Sequence, residues 1–235
     1  MRKKGAVYHH GNLRRALVEA TFRLVDSRGT DGFTLRAAAR LAGVSDGAPY
    51  HHFEDKEALL AAVAEESFRQ LREEMSRAAD RAEKDSLARS RAMGVAYVLF
   101  AARFPARFRL MFGPIGADRK RHPELVRASA EAADLVKQAL AQEIGATKLG
   151  SVDPLWLGSW ALVHGLSVLA VDGHFGAAAR NRRRLQQLVL AAMQTARRPR
   201  EELVLVEPER ETVPPTSGRR TKAPRERAPL AAERR

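Results

Sequence analysis

Cysteine is absent from this chain of 235 residues, and its absence excludes several kinds of chemistry. The protein has no disulfide, no thiolate ligand for a metal and no cysteine nucleophile. A chain without cysteine suits a reducing compartment, and we therefore expect a cytoplasmic protein.

Long uncharged hydrophobic runs are also missing. The longest apolar run, residues 155–171, is interrupted by His164 and two serines. It is shorter than the roughly 20 residues that a membrane-spanning helix needs. The basic residues 1–4 are not followed by the apolar core of a signal peptide. We therefore expect a buried helix at 155–171 and no membrane partner.

Catalytic signatures are missing as well. The sequence contains no glycine-rich phosphate loop, no His-Glu-x-x-His motif and no nucleophile elbow. His51 and His52 are adjacent, so on a helix they point about 100° apart and are poorly placed to share a metal ion. Acidic pairs such as Glu65-Glu66 fit an exposed helix face. We predict a protein that is not an enzyme and that needs no metal or other cofactor.

Acidic residues are the minority charge. Asp and Glu number 28 against 41 Lys and Arg, so the formal net charge is +13. Such an excess favours a polyanionic partner, either nucleic acid or an acidic membrane surface. Net charge alone does not distinguish a nucleic-acid partner from a membrane surface. The distinction depends on the order of the residues along the sequence.

Apolar residues recur with the period of an α-helix almost throughout, and strand-like alternation is confined to residues 203–206. Pro105, Pro123 and the Asp153-Pro154 pair mark the starts of helices. Gly145 and Gly173 mark helix ends. The last helix is expected at 177–197. The pattern predicts an all-α fold with an N-terminal three-helix helix-turn-helix domain and a larger helical domain after it.

Residues 34–56 have the pattern of two short helices joined by a tight turn. Thr34 is a plausible N-cap for the first helix, and Gly43 ends it. Ser45 is expected to cap a second helix that runs to residue 53. That helix has small residues early and Tyr50 with two histidines late, which is the layout needed by a helix that enters the DNA major groove.

This stretch resembles the DNA-binding signature of TetR-family repressors. The similarity rests on Ala-Gly-Val-Ser at 42–45, Tyr-His-His-Phe at 50–53 and Asp-Lys-Glu-Ala-Leu at 55–59, and it spans residues 13–60. It implies that Val44 and Phe53 are core residues and that basic residues 2–4 reach the minor groove. It also implies nine DNA-contact residues: Thr34, Ser45, Asp46, Gly47, Ala48, Tyr50, His51, His52 and Lys56.

The second half of the chain resembles the TetR subgroup whose C-terminal domain is named for a Trp-His-Gly motif. The resemblance rests on residues 105–112 and on Trp160 to Gly165. It implies that helices at about 154–171 and 178–197 pair with those of a second copy. Aromatic residues nearby are either ligand contacts or ordinary core, and His164 is either a ligand contact or a satisfied interface histidine. The candidate ligand contacts are Phe104, Phe108, Met111, Phe112, Trp156, Trp160 and His164.

These observations divide the chain into four segments. We expect a basic N-terminal arm at 1–12, a helix-turn-helix DNA-binding domain at 13–57 and a ligand-binding and dimerisation domain at 58–198. A proline-rich, charged tail at 199–235 is expected to be disordered.

The expected function is that of a ligand-responsive transcriptional regulator. A homodimer would repress by binding a pseudo-palindromic double-stranded DNA operator, and a small-molecule effector would release it. Two alternatives remain. One is a DNA-binding regulator without a small-molecule effector, controlled by a protein or acting as an activator. The other is a basic helical protein of the membrane surface.

Overall fold

The computed structural model describes residues 10–82, 85–117, 120–145 and 153–196. This described part contains helices and turns and no strand, and the predicted all-α fold is confirmed. Of the predicted arm, only residues 10–12 are described, and they begin the first helix. The predicted tail lies outside the described residues. The helices are α1 His10–Arg28, α2 Leu35–Leu41, α3 Lys56–Arg81, α4 Ser86–Arg103, α5 Pro105–Phe112, α6 Pro114–Ala117, α7 Pro123–Ile144, α8 Asp153–Val171, α9 Ala177–Arg180 and α10 Arg182–Ala196.

Side-chain caps and glycines set the helix boundaries, at Thr34 and Gly43 as the sequence predicts. The hydroxyl of Thr34 accepts a hydrogen bond from the Ala37 amide at 3.1 Å, and the Asp55 carboxylate accepts one from the Ala58 amide at 2.7 Å. These caps satisfy amides that have no partner within the helix. Gly43 ends the first half of the helix-turn-helix in the left-handed region, with φ of 73°.

The predicted second helix of this motif is shorter than expected. Only a 3₁₀ turn, Ala48–His51, forms there, and Ser45 does not cap it with its side chain. A helix capped by Ser45 would need residue 49 to donate the first bond to the Ser45 carbonyl, and Pro49 has no amide hydrogen. The Ala48 amide donates to that carbonyl instead, at 3.0 Å.

The predicted last helix is divided in two. Asn181 has extended backbone angles between α9 and α10, and its side-chain oxygen accepts a hydrogen bond from the Arg184 amide at 3.1 Å. Asparagine prefers this capping role to a position inside a helix, because its side chain competes for backbone hydrogen bonds. The expectation of one continuous helix over 177–197 was therefore wrong.

The chain has a small head and a larger body. We call α1, α2, the 3₁₀ turn and the start of α3 up to residue 58 the head, and the rest of α3 with α4 to α10 the body. The head packs around fully buried side chains such as Leu17, Phe33 and Ala38, and Phe53 is also buried, whereas Val44 is only partly so. In the body, α3, α4 and α7 contact one another, and α8 and α10 pack on the outer side of α4.

Helix α8 is more exposed than the sequence predicts. Only 17% of its most apolar 18-residue window is buried, and Leu157, Val168 and Leu169 face outward. Val163 and Ala170 are buried against the body. The expectation of a buried helix was wrong for a single chain, because only one stripe of α8 meets α4. By length and composition alone, α8 meets the criteria for a membrane-spanning helix.

One buried arginine joins the head to the body. The side chain of Arg107 in α5 is 5% exposed, and its Nε lies 3.0 Å from an Asp26 carboxylate oxygen in α1. It also donates to the Gln70 side-chain oxygen in α3 at 2.9 Å. The guanidinium carbon lies 3.5 Å from the centre of the Phe104 ring. Burial lowers the pKa of Arg107, and Asp26 opposes that change.

We expect Arg107→Ala to lower the free energy of unfolding by about 3 kcal/mol, because it leaves Asp26 and Gln70 without their cation. Urea titration measures this change. Arg109→Ala is the matched control on the same helix, since Arg109 is 59% exposed and pairs with Asp172. An exposed pair contributes less than about 1 kcal/mol. Equal losses in the two variants would contradict the structural role given to Arg107.

Candidate nucleic-acid interface and ligand cavity

The predicted DNA-contact residues lie at helix starts and turns of the head. Pro49 of the 3₁₀ turn and Phe53 just after it are buried, and the Arg14 guanidinium lies 5.5 Å from the centre of the Phe53 ring. With these two residues buried, Tyr50 is 56% exposed and His51 is exposed beside it. A turn held in this way presents its polar aromatic side chains to the surface.

Most of the nine predicted contact residues are solvent-exposed. The exposed ones are Thr34, Ser45, Asp46, Gly47, Tyr50, His51 and Lys56, whereas Ala48 and His52 are partly buried. Lys56 opens α3, with its ammonium nitrogen 5.8 Å from the centre of the Phe33 ring. The DNA contacts of all nine remain predictions.

A cavity of about 580 Å³ lies inside the body. Its wall is formed by α3, α4, α5, α7, α8 and α10 and is largely apolar. Of the chain's five methionines, all except Met1 line it, and so do both of its tryptophans. Sequence reasoning missed three of these methionines, although their flexible thioethers are well suited to the wall of an irregular cavity. The missed ones are Met75, Met93 and Met193.

The structure brings together some of the predicted ligand contacts and not others. Met111, Phe112, Trp156 and Trp160 line the cavity. Their binding role remains a prediction. Phe104, Phe108 and His164 are not among the residues that line it, and their binding role also remains a prediction.

Each of these three residues packs against or binds other side chains of the body. Phe104 covers the buried guanidinium of Arg107. Phe108 is 3% exposed and packs behind Phe112, with ring centres 4.9 Å apart. The His164 Nδ1 lies 3.0 Å from the Tyr97 hydroxyl oxygen, and burial lowers the pKa of His164. His164 is thus a hydrogen-bonded histidine between α4 and α8.

Gly94 leaves room for a neighbouring side chain of the cavity wall. A Cβ atom on Gly94 of α4 would lie 2.7 Å from the Met193 methyl carbon and 3.2 Å from a Val163 methyl. Such distances are too short for carbon atoms in contact. The missing side chain therefore lets Met193 of α10 reach the cavity wall.

Comparison with known proteins connects this architecture to one family. A family model described as bacterial regulatory proteins, tetR family, matches residues 17–63. A second, described as tetracyclin repressor-like, C-terminal domain, matches residues 90–193. The chain belongs to the TetR family. It is therefore a DNA-binding transcriptional regulator with an N-terminal helix-turn-helix. The proteins to which it is similar are transcriptional regulators and not enzymes.

Individual relatives agree with this assignment. The chain is 39% identical over 82 residues to the HTH-type transcriptional regulator BetI of Burkholderia cenocepacia strain HI2424, which is 34% of this chain and 42% of that protein. A solved protein of unknown function from Rhodococcus sp. RHA1 is 32% identical, with a TM-score of 0.65 over 81% of this chain and 95% of that one. A putative transcriptional regulator from Pseudomonas aeruginosa PAO1, at 21% identity and a TM-score of 0.58 over 80% and 92% of the two chains, shares the fold. The Trp-His-Gly subgroup remains a prediction.

In this TetR-family regulator the body also touches the N-terminal end of α3. Arg121, just before α7, lies 2.5 Å from an Asp55 oxygen and 3.1 Å from a Glu57 oxygen. The His122 Nε2 lies 3.2 Å from the same Glu57 oxygen. Because Asp55 caps α3 directly before Lys56, helix α7 of the cavity wall meets the edge of the candidate DNA interface. Nothing in the sequence pattern pairs these residues, which are more than 60 positions apart.

The Asp55 carboxylate connects this contact to pH. The backbone hydrogen bond from Ala58 and then the pairing with Arg121 hold the pKa of Asp55 below its usual value of 3.8. A lowered carboxyl pKa stabilises the fold at pH values above 3.8, and the stabilisation is lost as the pH falls through the folded-state value.

We therefore expect the stability difference between the regulator and its Asp55→Asn variant to be largest at neutral pH and to shrink as the pH falls below 3.8. The asparagine retains a cap oxygen but loses the ion pair. Urea titrations from pH 7 to pH 3 measure the difference. Asp46→Asn, in the exposed turn, removes a carboxylate that caps no helix and serves as the control. A pH-independent difference for Asp55→Asn would contradict the assignment.

Proposed function

We propose that this regulator is a homodimeric repressor that binds a pseudo-palindromic operator and leaves it when a small molecule enters the cavity. The observation that carries the proposal is the connection of the cavity to the head by two elements of its own wall. Helix α5 reaches α1 through Arg107 and Asp26, and α7 reaches the start of α3 through Arg121.

DNA recognition is assigned to the exposed side of the head. Gly47 and Ala48 allow close approach to base edges, and Tyr50 and His51 extend beyond them. Thr34 and Lys56 stand at the starts of α2 and α3, where free backbone amides and a cation favour phosphate. Asp46 repels phosphate, and its carboxylate suits the amine of a cytosine.

Dimerisation is assigned to the outward faces of α8 and α10. Leu157 is 54% exposed, Leu188 is 44% exposed, and Val168 and Leu169 extend the same kind of surface. Several exposed apolar side chains on two neighbouring helices are typical of an interaction site. A twofold dimer pairs this surface with its own copy and places two heads on an inverted repeat. A second copy also covers the apolar residues of α8 that a single chain leaves exposed.

The effector is assigned to the apolar cavity, whose size is within the range of drug-sized ligand sites. Aromatic rings and methionines form its wall, while its charged residues, Asp134 and Lys137, are not fully buried. A largely apolar molecule fits this wall. Release follows if the molecule binds more tightly to a body in which α5 or α7 has shifted, since only differential affinity changes the population of the DNA-binding state.

Selection from random-sequence duplex DNA by the purified protein at physiological salt tests the proposal. We expect enrichment of an inverted repeat. Enrichment of a single half-site would contradict the dimeric operator, and no enrichment would contradict sequence-specific binding. Because Trp156 and Trp160 are the chain's two tryptophans, a cavity ligand changes its intrinsic fluorescence. A compound that does so without lowering operator affinity would contradict release by that ligand.

A charge on the α8 face should prevent dimerisation. We expect Leu157→Arg to weaken the dimer by at least about 100-fold, because an unpaired cation would be buried between the copies. Ile144→Arg is the control, since Ile144 of α7 is 52% exposed but lies outside the α8–α10 face. Sedimentation velocity over a concentration series measures both. A dimeric Leu157→Arg protein, or equal weakening in the control, would place the interface elsewhere.

A further inference from the structure

Arginines surround a second recess, of about 620 Å³, between the ends of α4 and α8 and the start of α10. Arg103, Arg180 and Arg182 line it together with Gly173 and Gly176. Two further exposed arginines follow directly in α10. We call the five side chains the arginine cluster: Arg103, Arg180, Arg182, Arg183 and Arg184.

The arginine cluster lacks acidic partners. The sequence contains no Asp or Glu from residue 173 to residue 200. Among the described residues, no carboxylate lies within 4.0 Å of these five guanidinium groups, whereas Arg69 and Arg77 of α3 pair with glutamates of their own helix. The positive charge of the cluster is therefore not neutralised by the parts of the chain that the structure describes.

Helix stability does not account for these arginines. Three of them occupy the first turn of α10, which holds no acidic residue. Cations at that end of a helix oppose its dipole and so destabilise it. A role outside folding explains why three lie together there.

The cluster lies at the end of the body that carries the head. The Arg109 guanidinium in α5 donates to the Val171 carbonyl at 3.2 Å and to Asp172 at 2.7 Å, which ties the end of α8 to α5. Two residues earlier, Arg107 ties α5 to Asp26 of the head. The opposite end of the body lies at the end of α3, about 37 Å along that helix from Lys56.

We propose that the arginine cluster is a second DNA-contact surface, which binds backbone phosphates of the operator between the two heads. The proposal rests on the proposed dimer. Because α8 and α10 form the dimer face, the clusters of two copies would converge near the twofold axis. Guanidinium groups bind phosphate oxygens through paired hydrogen bonds. Such contacts raise affinity for any duplex and read no sequence.

The test compares two triple variants of the full-length protein with equal loss of charge. The first is Arg182→Gln, Arg183→Gln and Arg184→Gln. The matched control, Arg72→Gln, Arg77→Gln and Arg81→Gln, removes three exposed arginines from the far half of α3. Affinity for the selected inverted repeat and for an unrelated duplex of equal length is measured over a range of salt concentrations.

We expect the first variant to bind both duplexes at least about tenfold more weakly at physiological salt. Its plot of log affinity against log salt should flatten by about 1 to 3, because each lost phosphate contact removes about 0.9 from the slope. The ratio of specific to unrelated affinity should stay unchanged, and the control should keep the wild-type slope. Equal slopes in the two variants, whether changed or not, would overturn the proposal.

Two further readouts separate this proposal from the proposed function. Sedimentation must show that the cluster variant is still a dimer, and a monomer would mean that the arginines act in assembly, which overturns the proposal. If selection yields no inverted repeat, the operator hypothesis fails. The salt slopes of the two variants on the unrelated duplex then still show whether the arginine cluster contacts DNA. An unchanged slope with normal inverted-repeat enrichment overturns the cluster alone.

Discussion

The arrangement of the two halves of this regulator depends on the buried guanidinium of Arg107. An arginine that is almost fully removed from water must be paired and hydrogen-bonded, or it destabilises the fold. Here its partners come from three places: Asp26 in α1, Gln70 in α3 and the ring of Phe104. By binding all three partners, the Arg107 side chain holds the head, α3 and the cavity wall in one arrangement.

The same few helices serve more than one site, and this sharing makes communication between the sites possible. Helix α7 forms part of the cavity wall and meets the start of α3 through Arg121 and His122. Helices α8 and α10 line the cavity with one stripe and expose apolar residues with another. In a close-packed interior, a ligand that separates these helices must displace the neighbours on their other faces.

Local chemistry made much of this molecule predictable from the sequence. Thr34, Asp55 and Gly43 mark helix boundaries by effects that operate within four residues, and the structure has the boundaries there. The spacing of the motif around residues 42–59 indicated the family correctly. The two helix predictions that were wrong, at residues 45–47 and at Asn181, also have local causes. A proline after the first site has no amide hydrogen to donate, and Asn181 caps a helix instead of continuing one.

The sequence by itself determined the helical class, the position of the helix-turn-helix and the family, because each of these depends on neighbouring residues or on a contiguous motif. The tertiary structure alone decided which aromatic residues face the cavity, since Phe108 and Phe112 are one helical turn apart and only one lines it. It also decided the partners of Arg107 and Arg121 and the exposure of α8. These depend on side chains far apart in the chain, whose meeting is set by how the helices pack rather than by any pattern along them.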